Sequence, residues 1–302
     1  MSDPREDLET RPLHPEFGVE IMGVDLNAVI ADHLYPAIRA AFEDHSLLLF
    51  RNQSLDDAGH KRLAKLFGPL EDRTDNEDED EFVVPTVSNR LKDGTISGEM
   101  DLHTLNLKAN QLWHTDSTFL PVPSLANIIT ARVVTSTGGE TELVSTRAAW
   151  NRLSEDAKAK LRGTALWHRY GHSRARVSEE LANQQLFTKW PDVAWRPVWK
   201  NPTTGAEALY IASHAYAVDG MDDAEGSALI DDLIARATTS DHIYTHHWQV
   251  GDVLIWDERA TLHRGRPWPY EEERTLSSIC VSAGAADGLE TVRWPAAAGN
   301  AA

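Results

Sequence analysis

Apolar and polar positions along the chain first fall into helical spacing. Residues 34–45, L-Y-P-A-I-R-A-A-F-E-D-H, place their apolar side chains on one helical face, and the run leads into S-L-L-L-F, a short buried strand. Residues 56–67 predict a second amphipathic helix, with Leu63, Leu66 and Phe67 on one side and Lys61 and Lys65 elsewhere. The segment D-R-T-D-N-E-D-E-D-E at 72–81 is almost wholly polar and acidic, and predicts a solvated loop.

From about residue 112 the period shortens to that of strands. A-N-I-I-T-A-R-V-V (126–134) and T-E-L-V-S-T (141–146) stand on either side of T-S-T-G-G-E, a turn signal. Ser154 caps, and Glu155 and Asp156 charge, the start of a helix running to about Leu161. R-P-V-W-K (196–200) and A-L-Y-I-A (208–212) flank N-P-T-T-G as a hairpin, and 222–237 returns to the amphipathic helical pattern. H-I-Y-T-H-H-W, V-L-I-W-D and L-S-S-I-C-V-S-A then predict strands. Many short strands with a few inserted helices predict a mainly β chain, an antiparallel double-sheet jelly roll. No repeat or Pro/Gly/Ser-rich linker divides residues 1–302, so a single domain is expected, with its core at about 112–146 and 196–284.

Composition narrows the function classes. Hydrophobic residues make up 41% and charged ones 25%, ordinary values for a soluble globular chain. The N-terminus has no signal-peptide core, and no apolar run reaches the roughly 18 residues of a spanning helix, so a cytoplasmic location is expected. With 29 basic against 47 acidic residues the net charge is −18, which argues against nucleic acid and anionic membranes as partners. Any anion must therefore be met by local cations. Cys280 is the one cysteine, so neither an intramolecular disulfide nor a thiolate-rich metal site forms; within S-I-C-V-S it reads as a buried small hydrophobe.

Against this background Q-L-W-H-T-D-S-T-F (111–119) stands out. His114 and Asp116, costly to bury unpaired, sit between Trp113 and Phe119, and an extended segment would aim both at one face. Alone, the pair reads equally as a hydrogen-bonded structural couple. A second stretch, W-D-E-R-A-T-L-H-R-G-R-P-W (256–268), places His263 after a β-like apolar run. A close His/carboxylate pair and a distant third His match the facial triad of non-haem iron sites, which leaves positions open for substrates; spacing alone also permits Mn or Co. Arg274, opening the last strand, has the forked cation that a dicarboxylate cosubstrate requires, and Thr141, past Gly138-Gly139, can donate its hydroxyl to the same carboxylate. Taken singly, Arg274 reads rather as an exposed strand-end charge and Thr141 as an ordinary strand residue.

Together these stretches resemble the Fe(II)- and 2-oxoglutarate-dependent dioxygenases of the taurine dioxygenase type, and most nearly the 2,4-dichlorophenoxyacetate (aryloxyalkanoate) dioxygenases. L-H-P-E-F-G, L-L-L-F-R-N-Q, L-F-G-P-L-E, A-N-Q-L-W-H-T-D-S-T-F, S-T-G-G-E-T and W-D-E-R-A-T-L-H-R-G-R carry the likeness along most of the chain. The resemblance implies a double-stranded β-helix of the clavaminate synthase-like type. It implies that His114, Asp116 and His263 hold Fe(II), while Thr141 and Arg274 hold 2-oxoglutarate. It also implies O2 as cosubstrate, ascorbate as a reductant in vitro, a homo-oligomer, and 72–110 as a loop region at the active site with the acidic 72–81 run as a lid. The implied reaction converts 2-oxoglutarate to succinate and CO2 while hydroxylating a small acid. Beside an ether oxygen, that hydroxylation cleaves the ether.

The end of the site that meets the substrate departs from the family pattern. Relatives place a further arginine shortly after the 2-oxoglutarate arginine to hold the substrate anion, and here that position is Ser278. Arg73, Asn110 and His214 are the remaining candidates, with a solvated charge or a core histidine as the competing interpretations. A sulfonate hydroxylase and a non-catalytic sensor binding 2-oxoglutarate and metal are the alternative functions. His246 and His247 alternate along a strand and read as structural, as does Arg259.

Overall fold

A computed structural model describes residues 8–71, 73 and 82–295. Apart from Arg73, the acidic 72–81 run expected as a loop and lid lies outside these residues.

The two N-terminal helices form where the periodicity places them, at Tyr35–His45 and Asp57–Phe67. The second starts where the Asp56 carboxylate accepts the Gly59 N–H at 2.7 Å, satisfying one of the orphan donors of the first turn. Ile38, Phe42, Leu63 and Phe67 are buried from these helices against Leu48, Phe50, Ile128, Ile255 and Ile279 of a seven-stranded sheet. Each such side chain contributes about 1.5–3 kcal/mol by leaving water. The sheet runs in the order Glu9–Pro12, Val19–Met22, Leu47–Phe50, Val253–Asp257, Ser124–Val133, Thr275–Ser282, Thr86–Ser88, and it is antiparallel except between the second and third strands.

Strand alternation then decides what the opposite face carries. With Ile128, Ile255 and Ile279 turned to the helices, Ile129, Leu254, Trp256 and Leu276 pack on the other side with Leu143. Leu143 belongs to a second sheet, Tyr244–His246, Thr141–Ser145 and Thr261–Gly265, which forms the opposing layer of the jelly roll. The outer face of that layer, Val144 and Leu262, packs with Trp150, Ile230 and Leu233 of the later helices. Thus 141, 143 and 263 of one layer, and 127, 129, 276, 278 and 280 of the other, fall on the inner faces.

The Glu155–Arg162 helix, capped by Ser154, and the antiparallel pair Val198–Lys200 with Glu207–Leu209 match the sequence pattern. The strands on either side of T-S-T-G-G-E join different sheets, so this turn carries the chain from one layer to the other. Arg259 lies in the reverse connection between Val253–Asp257 and Thr261–Gly265, buried on Asp257 (2.8 Å) and Glu43 (2.7 Å), a structural ion-pair group as expected. No helix among the described residues is long and apolar enough to cross a membrane.

Candidate active site

His114 and His263 are joined through the backbone, each N–H donating to the other's carbonyl at 2.9 Å. This bridge is isolated, and 116–119 form a turn, so the strand expected across His114 and Asp116 is not present. Competing partners explain the difference. The Thr115 hydroxyl lies between the Ile211 and Thr261 carbonyls, the Asp116 N–H donates to Glu258 Oε2 at 2.9 Å, and Ser117 adopts φ +60°. Asp116 therefore meets the imidazoles by way of a turn, not through strand alternation.

The potential donor atoms of His114, Asp116 and His263 lie within 4.8 Å of one another. His114 Nε2 is 3.7 Å and His263 Nε2 3.6 Å from the Asp116 carboxylate. His114 Nδ1 faces the Leu112 carbonyl at 2.7 Å; a carbonyl only accepts, so Nδ1 carries the hydrogen and Nε2 keeps its lone pair. Burial pushes both imidazoles down, His263 to about 3. Burial opposes ionisation of Asp116; a proton on His263 or His114 would favour its charge, and with both rings neutral the Arg73 guanidinium and the Asn127 amide still hold its carboxyl below the usual range. Neutral imidazoles and an ionised carboxylate are the states a divalent cation needs, so the three residues fit a metal of the Fe(II) or Mn(II) kind.

A second layer of side chains sets these ligands. Asn127 donates to Asp116 Oδ2 at 2.8 Å and accepts from the Ser278 hydroxyl at 2.9 Å. Ser278 is thus engaged in holding the amide that meets the Asp116 carboxylate. Glu258, fully buried, also accepts from Trp256 Nε1, and burial and the Asp116 charge push its carboxyl well up. His263 Nδ1 is buried without a hydrogen-bond partner, 4.0 Å from Glu258 Oε2. Cys280, expected in the core, instead lines the cavity with its sulfur 3.8 Å from Asp116 Oδ2; burial and the neighbouring carboxylates raise its pKa, leaving a thiol. Its inner-face register puts it there.

Gly138 and Gly139 turn with φ of +71° and +72°. A Cβ on Gly139 would stand 2.9 Å from Arg274 Nε, so only glycine lets the guanidinium lie against this turn. Arg274 Nε and Nη2 donate to the Gly139 carbonyl at 3.0 and 2.8 Å. Burial draws its pKa down to about 10 against the pull of Glu140. Thr141 accepts from Trp248 Nε1 at 3.0 Å, leaving its own hydroxyl hydrogen free to donate.

All nine residues singled out in the sequence line one cavity of about 760 Å³. They differ in what they can do there. Arg73 is already neutralised by Glu71 at 2.6 Å and donates to Ser117 Oγ at 2.9 Å. His214 is buried beside Phe119 and Tyr170, and burial, with Arg174 nearby, holds it neutral. Asn110 accepts from Arg174 at 3.3 Å.

A family profile described as taurine catabolism dioxygenase TauD, TfdA family matches residues 9–280. The chain belongs to the TauD, TfdA family. Members of its kin act as 2-oxoglutarate-dependent dioxygenases, and so does this enzyme. It is 34% identical over 275 residues to the (S)-phenoxypropionate/alpha-ketoglutarate-dioxygenase of Sphingobium herbicidovorans, covering 88% of this chain and 91% of the relative. It is 32% identical over 270 residues to the alpha-ketoglutarate-dependent 2,4-dichlorophenoxyacetate dioxygenase of Cupriavidus pinatubonensis, covering 88% and 94%. The crystal structure of AAD-2 in complex with Mn(II) and N-oxalylglycine superposes with a TM-score of 0.85 at 29% identity, covering 92% of this chain and 98% of that one. In this TauD, TfdA family enzyme, the sequence pattern did not single out Asn127 and Glu258, which meet Asp116, or Arg174, which lines the same cavity. Asn127 left one signal, a lone amide inside an apolar strand.

Proposed function

We propose that the enzyme hydroxylates an aryloxyalkanoate at the carbon beside its ether oxygen, using Fe(II), 2-oxoglutarate and O2. The observation that carries this is one cavity holding a His/Asp/His donor cluster and a buried guanidinium that no carboxylate among the described residues neutralises. Fe(II), when bound, supplies the redox chemistry that couples decarboxylation of 2-oxoglutarate to oxidation of a substrate C–H bond. His114, Asp116 and His263 would hold the metal, and all three line the cavity in which the substrates would meet it. Arg274 and Thr141 receive the distal carboxylate of 2-oxoglutarate, Arg274 held by the Gly139 carbonyl and Thr141 by Trp248. Phe119, Ile129 and Trp256 line the cavity as apolar wall against which an aromatic ring excludes water. The hydroxylated product is a hemiacetal; its C–O bond breaks to release a phenol and an oxo acid, with one oxygen atom of O2 in the oxo acid's precursor and the other in succinate.

The test is succinate release by protein supplied with Fe(II), 2-oxoglutarate, ascorbate and O2. Phenoxyacetate-type acids are expected to accelerate succinate release and yield the matching phenol. Succinate no greater than that of a His114→Ala control with every acid tried refutes the proposal. Stimulation by taurine-like sulfonates but not by aryloxy acids reassigns the substrate.

A further inference from the structure

We propose that Arg174 is the residue that receives the anionic head of the substrate, in place of the arginine that the last strand lacks at Ser278. This rests on the proposed oxidation of a small organic acid. Three arginines are buried among the described residues: Arg174, Arg259 and Arg274. Arg259 carries the carboxylates of Asp257 and Glu43. The other two pair with no carboxylate among the described residues, and both line the cavity of the metal cluster. One is accounted for by 2-oxoglutarate. A second guanidinium buried without a counter-ion calls for a second anion.

Its surroundings hold the fork without cancelling its charge. Nε donates to Asn106 Oδ1 at 3.2 Å, Nη1 to Ser173 Oγ at 2.9 Å, and Nη2 to Asn110 Oδ1 at 3.3 Å and the Tyr170 hydroxyl at 3.5 Å. Every acceptor is neutral. The Tyr170 and Phe187 rings lie 4.5 and 5.4 Å from Cζ and fix its plane. Tyr170 in turn stacks on Phe119, centroids 3.7 Å apart, so the charge adjoins an aromatic wall suited to an acid with a flat apolar body. Arg73 offers a poorer anchor, since Glu71 already neutralises it. Asn110 thereby acts as a positioning residue for Arg174.

Binding is measured without O2, by tryptophan fluorescence of protein loaded with Mn(II) and 2-oxoglutarate. The probes are phenoxyacetate and its neutral amide, phenoxyacetamide. Arg174→Gln is expected to raise the Kd for phenoxyacetate by at least about 30-fold, the loss typical of a buried charge pair deprived of one partner. It should narrow the preference for acid over amide and leave Mn(II) and 2-oxoglutarate affinities unchanged. Arg174→Lys, keeping the charge but not the fork, should fall between and serves if the glutamine variant fails to fold. Unchanged acid affinity in Arg174→Gln, or full affinity in Arg174→Lys when the glutamine variant does not fold, overturns the assignment. So does an equal loss of 2-oxoglutarate binding in a folded Arg174→Gln. Wild-type protein that binds none of phenoxyacetate, hexanesulfonate or hexyl sulfate refutes the proposed function, and this assignment with it.

Discussion

Asn127 offers the sharpest test of how the metal site is built. Its amide donates at 2.8 Å to the ionised carboxylate of Asp116. A hydrogen bond to a charged group contributes about 1.5–3 kcal/mol. Removing the outer partner of a metal ligand costs roughly 10–100-fold in metal affinity, or about 1.4–2.8 kcal/mol. The two ranges agree. Asn127→Ala should therefore weaken Mn(II) binding, followed by electron paramagnetic resonance without O2, by roughly 10–100-fold. The paired control is Ser278→Ala, which breaks only the neutral 2.9 Å bond to the far side of the same amide. That bond contributes about 0.5–1.5 kcal/mol to holding Asn127, so the metal should respond less than to Asn127→Ala. Urea melts of the metal-free proteins separate loss of fold from loss of affinity. Wild-type Mn(II) affinity in a folded Asn127→Ala would falsify the positioning role.

Three further outcomes follow from the same geometry. Arg274→Gln should raise the Kd for 2-oxoglutarate by at least about 30-fold while Mn(II) binding holds, and equal 2-oxoglutarate affinity rejects the assignment. Gly139→Ala should act in the same direction, because its Cβ would crowd Arg274 Nε at 2.9 Å and its φ of +72° suits glycine; titration calorimetry with 2-oxoglutarate checks both. Buried His168, its pKa drawn down to about 3 by burial, binds its proton more readily unfolded than folded. Stability is therefore lost as pH falls below about 6.5, by roughly 2 kcal/mol between pH 7 and 5 for this one group. Urea unfolding of His168→Gln should show a pH dependence smaller by that amount, and an unchanged slope rejects it.

The chain revealed its local devices and concealed those made by distant partners. Asp56, Ser154 and the apolar spacing at 34–45 act within a few residues, so the helices they begin were legible. The candidate donor cluster was legible too, since His114, Asp116 and His263 are chemically unusual among apolar neighbours and the fold brings them together. The turn that carries Asp116 was not, because Glu258, far along the chain, takes the Asp116 N–H that a strand would have used, while the Thr261 carbonyl holds the neighbouring Thr115 hydroxyl. Arg174 sits in R-Y-G-H-S-R-A-R, a polar stretch without helical period, and its burial arises only when Phe187, Asn106 and Asn110 close around it. Cys280 and Ser278 alternate with Ile279 and Val281, but which pair turns inward was settled by the helices packed on the other face.

Arg174 and Arg274, which pair with no carboxylate among the described residues, sit inside a chain of net charge −18 and also shape traffic into the cavity. An incoming acid climbs a repulsive outer field before it drops into a short-range attractive well. Salt acts differently on the two: at 0.1 M the screening length is about 10 Å, enough to flatten the outer field while leaving dehydrated contacts inside nearly untouched. Capture of anionic ligands should thus quicken as ionic strength rises, with departure hardly altered, the reverse of an enzyme whose surface steers its substrate in.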